Sequence, residues 1–246
     1  GLNGGIPEGS WVTITGRPKY GKSLLCLNFC ATCQRDYDKH IYYIDIENRL
    51  KKLNIEGING LNITDKFHIV RSDYGKILTA EEYLEIAENI IKSHPGCVIV
   101  LDSVSALCTA AELTKGMDEI QRADGPKLLA KFCRKVTNII PTNKTILLCI
   151  TQLMGNPSGY GATEKEKSGF AISYQMDVKL KAKKMELWIE KEKQIGQIVT
   201  WLVECSALGP PGMEVDSYIR YGYGIDKVIE TIVIASDLGL LKKSAS

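Results

Sequence analysis

Short apolar runs of strand character alternate with longer stretches of helical periodicity in the first part of the chain. The run Cys97–Leu101 is continuously apolar, which is typical of a parallel strand buried on both faces of a sheet. The stretch Thr79–Ser93 instead places apolar residues at helical spacing. This alternation predicts an α/β fold with a mainly parallel central sheet flanked by helices. The predicted strands are Trp11–Thr15, His40–Asp45, Phe67–Val70, Cys97–Leu101 and Thr145–Ile150, and the predicted helices are Ser23–Tyr37, Arg49–Leu53, Thr79–Ser93 and Pro126–Ile140.

The second part of the chain has a different pattern. The stretch Gly155–Gly169 is rich in Gly, Ser and charge without periodicity, so a loop is predicted there. Shorter strand-like runs follow, and a meander of short strands extending one edge of the sheet accounts for them. We expect one domain over residues 1–246. The predicted late elements are the strands Met176–Leu180, Glu186–Ile189, Ile198–Cys205 and Ser217–Arg220, the helix Asp226–Leu241 and a frayed tail Lys242–Ser246.

The stretch Gly16–Ser23 reads G-x-x-x-x-G-K-S and lies between a predicted strand and a predicted helix. That context favours a phosphate-binding loop over an ordinary glycine-rich turn. The glycines let backbone N–H groups face an anion, and the following helix adds the positive end of its dipole. Lys22 is placed to reach the β- and γ-phosphates, and the Ser23 hydroxyl is placed to bind Mg²⁺.

Three polar residues follow other predicted strands and are expected at the same sheet edge as the loop. The carboxylate of Asp102 is suited to hold a metal ion, and its alternative role is to cap the next turn. The carboxylate of Glu47 is suited to activate a water molecule. The alternative interpretation is that Glu47 lies at the amino terminus of a helix, where the helix dipole favours a negative charge. Gln152 precedes the Gly155–Gly169 loop, so its amide is placed to sense the γ-phosphate, or it is merely a polar strand end.

The Gly155–Gly169 loop and the residue after it combine basic and aromatic side chains. Such side chains are suited to contact phosphates and to stack on the bases of single-stranded DNA, and here they are Tyr160, Lys165, Lys167 and Phe170. A solvated loop explains the same composition equally well.

Overall composition excludes several classes. Lys and Arg number 31 against 29 Asp and Glu, so any nucleic-acid footprint must be local. No apolar run is long enough to span a membrane, and no signal-peptide pattern is present. The eight cysteines lie mostly in apolar runs, which predicts reduced thiols and a cytoplasmic location. Cys26, Cys30 and Cys33 share a helix face, where packing on the sheet is favoured over a metal cluster.

The order of these motifs resembles the RecA family of recombinases and its phage relatives over nearly the whole chain. The phosphate-loop segment and the strand that ends in Asp102 are shared by many ATPases. The segments Asp102–Leu107 and Tyr221–Ile225 are more specific to the family. The segments that carry the resemblance are Gly4–Ser10, Tyr43–Glu47, Val98–Leu107, Ile150–Leu153, Ala207–Pro211 and Tyr221–Ile225.

The resemblance implies a RecA-like P-loop NTPase fold and an ATP- and Mg²⁺-dependent, DNA-stimulated ATPase. It implies filament formation on single-stranded DNA, homology search in double-stranded DNA, and strand exchange. It also implies that Glu47, Lys22 and Gln152 are catalytic and that Ser23 and Asp102 bind the metal. The implied nucleotide-binding residues are Gly16, Arg17, Pro18, Lys19, Tyr20, Gly21, Lys22, Ser23, Leu24, Asp102, Tyr221 and Gly222. The implied DNA-binding residues are Gly155, Asn156, Tyr160, Lys165, Lys167 and Phe170, and the stretch Thr114–Asp124 is implied as a second DNA-facing loop.

The chain departs from the family pattern in several places. Bacterial members carry two lysines that reach a neighbour's ATP, and here those positions are Glu204 and Ser206. Lys183, Lys191 and Lys193 are candidate substitutes. We expect that the amino-terminal docking segment and the carboxy-terminal domain are absent and that the chain is an excised core.

Two other functions of the same fold stay open at the sequence level. Asn48–Lys52 lacks the family residues that flank adenine, and the Arg17-Pro18 pair also resembles replicative hexameric helicases. A ring-forming helicase motor and a regulatory ATP-binding module are therefore the alternatives to a filament-forming recombinase.

Overall fold

One large mixed sheet organises the protein. The computed structural model describes residues 2–63, 65–114, 124–155, 164–166, 172 and 175–241, without the side chains of residues 124 and 164–166. The strands are β1 (Trp11–Gly16), β2 (Ile41–Asp45), β3 (Phe67–Val70), β4 (Val98–Asp102), β5 (Ile146–Gly155), β6 (Glu164–Glu166), β7 (Val178–Glu190), β8 (Lys193–Ser206), β9 (Glu214–Arg220) and β10 (Gly224–Ile225). The helices are α1 (Lys22–Tyr37), α2 (Lys52–Glu56), α3 (Ala80–Ser93), α4 (Ala110–Thr114), α5 (Asp124–Val136), α6 (Ile139–Thr142) and α7 (Lys227–Asp237), with a 3-10 turn at Val104–Ala106.

The strands follow the order β10-β9-β8-β7-β1-β5-β4-β2-β3, and β6 pairs with β5. Neighbouring strands are parallel along the series β7-β1-β5-β4-β2-β3. From β7 to β10 the neighbouring strands are antiparallel and extend one edge of the sheet. Helices cover the parallel part, which explains why its strands are apolar on both faces. The predicted α/β class is confirmed.

Two hydrophobic cores lie on opposite faces of this sheet. One packs α1 and the second packs α3 and α5 against alternate residues of the same strands. Cys26, Cys30 and Cys33 are buried in the first core, which confirms the prediction that they pack against the sheet. Within the described residues, no group of three or more His, Cys, Asp or Glu side chains is arranged to hold a metal ion. The described helices include none with the length and apolarity needed to cross a lipid bilayer.

Several predicted bounds were wrong. The short strands Met176–Leu180 and Glu186–Ile189 are one continuous strand, β7, which pairs with β8 through three register shifts. The edge extension is therefore built around a long hairpin. The predicted helix Arg49–Leu53 begins three residues later, at Lys52. A three-residue strand, β6, lies inside the predicted Gly155–Gly169 loop.

Two predicted helices also have different ends. The helix predicted over Pro126–Ile140 is divided, because α5 ends at Val136 and α6 begins at Ile139. The helix predicted over Asp226–Leu241 ends at Asp237, four residues early.

The register of the parallel strands brings their carboxyl ends together. Gly16 at the end of β1 pairs with Gln152 in β5, and Asp45 at the end of β2 pairs with Asp102 at the end of β4. β5 itself continues to Gly155, so Gln152 lies where the parallel ladder ends rather than where the strand ends. Gly16 of the loop and the polar residues at or after the other three strands thus share one edge, as predicted from the sequence.

A carboxylate joins the two helices of the second core. Glu88 of α3 is largely buried, and it accepts hydrogen bonds from Lys92 at 2.5 Å and from Lys135 of α5. These lysines, with Lys135 contributing most, hold the pKa of the Glu88 carboxyl below its ordinary value. A carboxyl whose pKa is lowered on folding stabilises the fold above its unfolded pKa and loses that contribution in acid.

We expect Glu88→Gln to lower the free energy of unfolding by about 1 kcal/mol at pH 7, since two ion pairs lose their charge. The difference from the unchanged chain should shrink as the pH falls below about 4.3. Urea unfolding at several pH values measures it. Glu85→Gln, an exposed neighbour on the same helix, is the control. Equal losses for both variants would contradict a specific clamp.

Candidate nucleotide-binding site

The Gly16–Ser23 loop joins β1 to α1 in a conformation that its glycines permit. Gly21 has φ 74°, and an added Cβ would lie 2.6 Å from Cδ1 of Ile219. At Gly16 an added Cβ would lie 2.7 Å from the Cβ of Ala182 in β7. A side chain at Gly16 would therefore push the loop away from β7. At Gly21 it is the positive φ, which residues with a side chain rarely adopt, that favours glycine. The first residue of α1 is Lys22, so the helix amino terminus points into the loop.

Lys22 is nearly buried beneath this loop, with 7% of its surface exposed. Its Nζ donates hydrogen bonds to the carbonyl oxygens of Gly16 at 2.8 Å and Arg17 at 2.7 Å. Burial lowers the pKa of the Lys22 ammonium, and the negative charges of Asp102 and Glu47 oppose that shift. The cation is thus held at the loop by two carbonyls and two nearby carboxylates.

Asp102 ends β4 directly below the loop. Burial raises the pKa of its carboxyl, and hydrogen bonds from Ser23 and Tyr43 oppose the rise. The Tyr43 hydroxyl donates to Oδ2 of Asp102 at 2.5 Å. Ser23 and Asp102 are therefore adjacent, as the predicted metal-binding pair requires.

Glu47 lies after β2 and is held from three directions. Its Oε1 accepts hydrogen bonds from Ser103 Oγ at 2.7 Å and from Gln152 Nε2 at 2.5 Å. Its Oε2 lies 3.3 Å from Nη1 of the exposed Arg49. The structure thus brings Glu47 and Gln152 into direct contact. Ser103 and Arg49 were not among the sequence-predicted site residues.

Asp45, also missed at the sequence level, shapes the turn that carries Glu47. Its buried carboxylate accepts hydrogen bonds from the backbone N–H groups of Arg49 at 3.1 Å and Leu50 at 2.8 Å. Such an aspartate-stabilised turn competes with helix formation. That is why α2 begins only at Lys52. The position of an aspartate four residues before Arg49 is the sequence signal that could have indicated this turn.

A cleft of about 480 Å³ opens between the loop and these side chains. Tyr221 borders it, and its hydroxyl accepts a hydrogen bond from Gln194 Nε2 at 2.7 Å. Asn28 of α1 accepts from Ile225 N at 3.2 Å and so ties the segment after Tyr221 to the helix. The other residues that line the cleft are Pro18, Lys19, Gly21, Lys22, Ser23, Leu24, Leu27, Asp45, Glu47, Arg49, Leu50, Asn54, Asp102, Ile150, Gln152 and Gln197.

Four predicted nucleotide-binding residues do not line this cleft. Gly16 and Arg17 contribute their carbonyl oxygens to Lys22 instead. The Tyr20 side chain packs against the first hydrophobic core. Gly222 is exposed and lies beside Gly57, whose added Cβ would be 3.3 Å from its backbone.

Most of the predicted DNA-binding residues lie outside the described part of the chain. These are Asn156, Tyr160, Lys167 and Phe170. Gly155 ends β5, and the backbone of Lys165 lies in β6, opposite Met154. The second predicted DNA-facing stretch, Thr114–Asp124, is described only at its two ends. The structure therefore places Gly155, the first residue of the predicted Gly155–Gly169 loop, at the end of the strand that carries Gln152. The DNA contacts of that loop stay predictions.

The donor set fits a nucleoside triphosphate with Mg²⁺. Backbone N–H groups at a helix start and a nearly buried lysine suit phosphate oxygens. A hydroxyl from Ser23 and a carboxylate from Asp102 are the oxygen ligands that Mg²⁺ uses beside phosphates. A phosphate-binding loop, a strand-end aspartate and a parallel sheet together define the P-loop NTPase class.

Comparisons with known proteins identify the family within this class. The family model described as the RecA N-terminal domain matches residues 1–226. Protein RecA of Oleidesulfovibrio alaskensis is 31% identical over 245 residues, which cover 99% of this chain and 68% of that protein. Protein RecA of Aquifex aeolicus is 32% identical over 249 residues with the same two shares, and that of Fusobacterium nucleatum is 32% identical over 244 residues covering 62% of its length. The chain belongs to the RecA family, and it spans about two thirds of the length of these relatives.

We expect Lys22→Ala to abolish nucleotide binding, because no other ammonium in the described loop is held beneath it in this way. Binding of a fluorescent ATP analogue to the full chain measures the effect. Lys52→Ala removes an exposed lysine that does not line the cleft, so it should bind as the unchanged chain does. Unaltered binding by Lys22→Ala would contradict the assignment of the loop.

Proposed function

We propose that this chain is the ATPase core of a DNA recombinase that binds single-stranded DNA, forms filaments and promotes strand exchange. The observation that carries the proposal is the hydrogen bond from Gln152 to Glu47. It links the candidate water-activating carboxylate to β5, the strand that leads into the predicted DNA-facing loop. Membership of the RecA family supports the same function.

The loop and Lys22 would bind the phosphates of ATP, and Ser23 and Asp102 would hold Mg²⁺ among them. When bound, the metal neutralises charge on the β- and γ-phosphate oxygens. Lys22 would exchange its two carbonyl partners for phosphate oxygens, which are stronger acceptors for an ammonium. Tyr221 and Leu24 at the border of the cleft would contact the rest of the nucleotide.

Glu47 would position the attacking water and accept its proton. One of its oxygens is already occupied by the donors of Ser103 and Gln152. If the Gln152 amide donates to the γ-phosphate instead, Oε1 of Glu47 regains one acceptor position for water while Ser103 still orients the carboxylate. Binding of ATP would thereby activate Glu47 and alter the start of the loop in one step, a recognised type of nucleotide switch.

In bacterial members of the family, two lysines reach the ATP of a neighbouring subunit. A filament of this chain would need other residues in that role. Glu204 at one of those positions pairs with Lys179 at 2.7 Å and lies 3.9 Å from Lys181. The candidate substitute Lys183 pairs with Glu214 at 2.5 Å, whereas Lys191 and Lys193 lie at the tip of the β7–β8 hairpin. Of the three, the two tip lysines are better placed to extend toward a neighbouring molecule.

The decisive experiment measures ATP hydrolysis by the chain with and without single-stranded DNA. We expect DNA to stimulate turnover, and electron microscopy with an ATP analogue to show helical filaments. Closed rings would favour a helicase motor. Hydrolysis that is indifferent to DNA, together with no DNA binding, would favour a regulatory module.

Glu47→Gln should keep ATP bound but slow turnover about 100-fold, because only the proton-accepting step is removed. Single-turnover hydrolysis and nucleotide binding are measured on the same preparation. Glu56→Gln alters an exposed carboxylate of α2 and should leave both unchanged. Turnover at the normal rate in Glu47→Gln would leave that carboxylate with a structural role only.

A further inference from the structure

A tyrosine of β2 supports the aspartate of the candidate metal site from inside the protein. We propose that Tyr43 is a positioning residue that fixes the carboxylate of Asp102 for Mg²⁺. This inference rests on the proposed function, because it assumes that Asp102 holds the metal of a bound nucleotide. Tyr43 does not line the cleft, so it would act only through Asp102.

The sheet register explains how the two side chains meet. Tyr43 in β2 pairs with Val100 in β4, and Asp102 lies two residues further along β4. Residues two apart on a strand share a face, so Asp102 is the diagonal neighbour of Tyr43. A long side chain can span that diagonal, and the Tyr43 hydroxyl donates to Oδ2 of Asp102 at 2.5 Å.

The phenol ring has little freedom to move away from this contact. Tyr43 has no exposed surface and belongs to the core packed beneath α1, beside Cys26 and Cys30. The ring of Phe67 lies 6.3 Å from it, centroid to centroid. A tightly packed interior holds a side chain in one rotamer, so the hydroxyl is a fixed point for its acceptor.

Asp102 needs such a fixed point because the terminal torsion of an aspartate is soft. A hydroxyl bonded to a carboxylate forms a short, strong hydrogen bond that selects one orientation of the group. Partners of this kind, one step behind a metal ligand, commonly change metal affinity by about 10- to 100-fold. The Tyr43 hydroxyl donates its hydrogen bond to Asp102 and the residue does not line the cleft, so metal-free nucleotide binding should not depend on it.

The test compares Tyr43→Phe with the unchanged chain in a titration of Mg²⁺. A fluorescent ATP analogue reports nucleotide affinity in chelator and at increasing Mg²⁺. We expect Tyr43→Phe to bind the nucleotide normally in chelator and to need about tenfold more Mg²⁺ for the metal-dependent gain. In an Asp102→Asn background the same substitution should add no further change, because its route of action is gone.

Tyr42→Phe is the matched control. It removes a hydroxyl from the adjacent residue of β2, whose ring lies on the opposite face against His68 and His94. It should leave the Mg²⁺ requirement unchanged. An equal Mg²⁺ requirement for Tyr43→Phe and the unchanged chain would overturn the inference while leaving the proposed function intact.

Two other outcomes separate the inference from the function on which it rests. Absence of any Mg²⁺-dependent binding by the unchanged chain would overturn both. Loss of a cooperative thermal transition in Tyr43→Phe would show that the hydroxyl serves folding, and it would overturn the positioning role alone.

Discussion

The withdrawal of opposite charges from water at one sheet edge is the constraint on which the site depends. Lys22 and Asp102 each lose hydration there, and burial opposes the charged form of each. A buried charge persists only where partners compensate for the lost water. The carbonyls of the loop serve Lys22, and hydroxyls from Ser23 and Tyr43 serve Asp102. The cation and the carboxylate are thereby held at the place where we propose that phosphate and metal bind.

That edge exists because the parallel strands keep a common register. Pairing of Gly16 with Gln152, and of Asp45 with Asp102, brings four strand-end regions to one level. The two cores behind them use alternate residues of the same strands, so a shift of one position would turn the site side chains to the wrong face. Close packing of Gly16 against Ala182 adds a steric limit on the loop from the β7 side.

Much of this arrangement could be predicted from the sequence. Continuous apolar runs predict buried parallel strands, and their polar final residues identify the shared edge without knowledge of any contact. The start of α2 was misplaced because the Asp45 side chain stabilises a turn that periodicity does not reveal. The length of β7 was missed because register shifts near Ala182 and Trp188 interrupt the alternation expected of one strand.

The proposed role of Tyr43 could not be predicted from the sequence, for a different reason. An aromatic residue within an apolar strand is first expected to be part of the core, and Tyr43 is indeed buried there. Only the register between β2 and β4 reveals that its hydroxyl meets a carboxylate two positions away. Long-range pairs of this kind depend on tertiary geometry, which local pattern does not encode.

The sharing of one carboxylate oxygen by Ser103 and Gln152 suggests how such a site could respond to its ligand. A switch needs two arrangements with different ligand contacts, and the Gln152 amide has two acceptors to choose between, Glu47 or a phosphate. Just beyond Gln152, β5 pairs with β6 from Leu153 to Gly155, so the strand is anchored on both sides of the amide. An exchange of acceptor would therefore act on the end of β5 and on its pairing with β6. Coupling between nucleotide and loop would then follow from movement of the Gln152 amide between Glu47 and a phosphate.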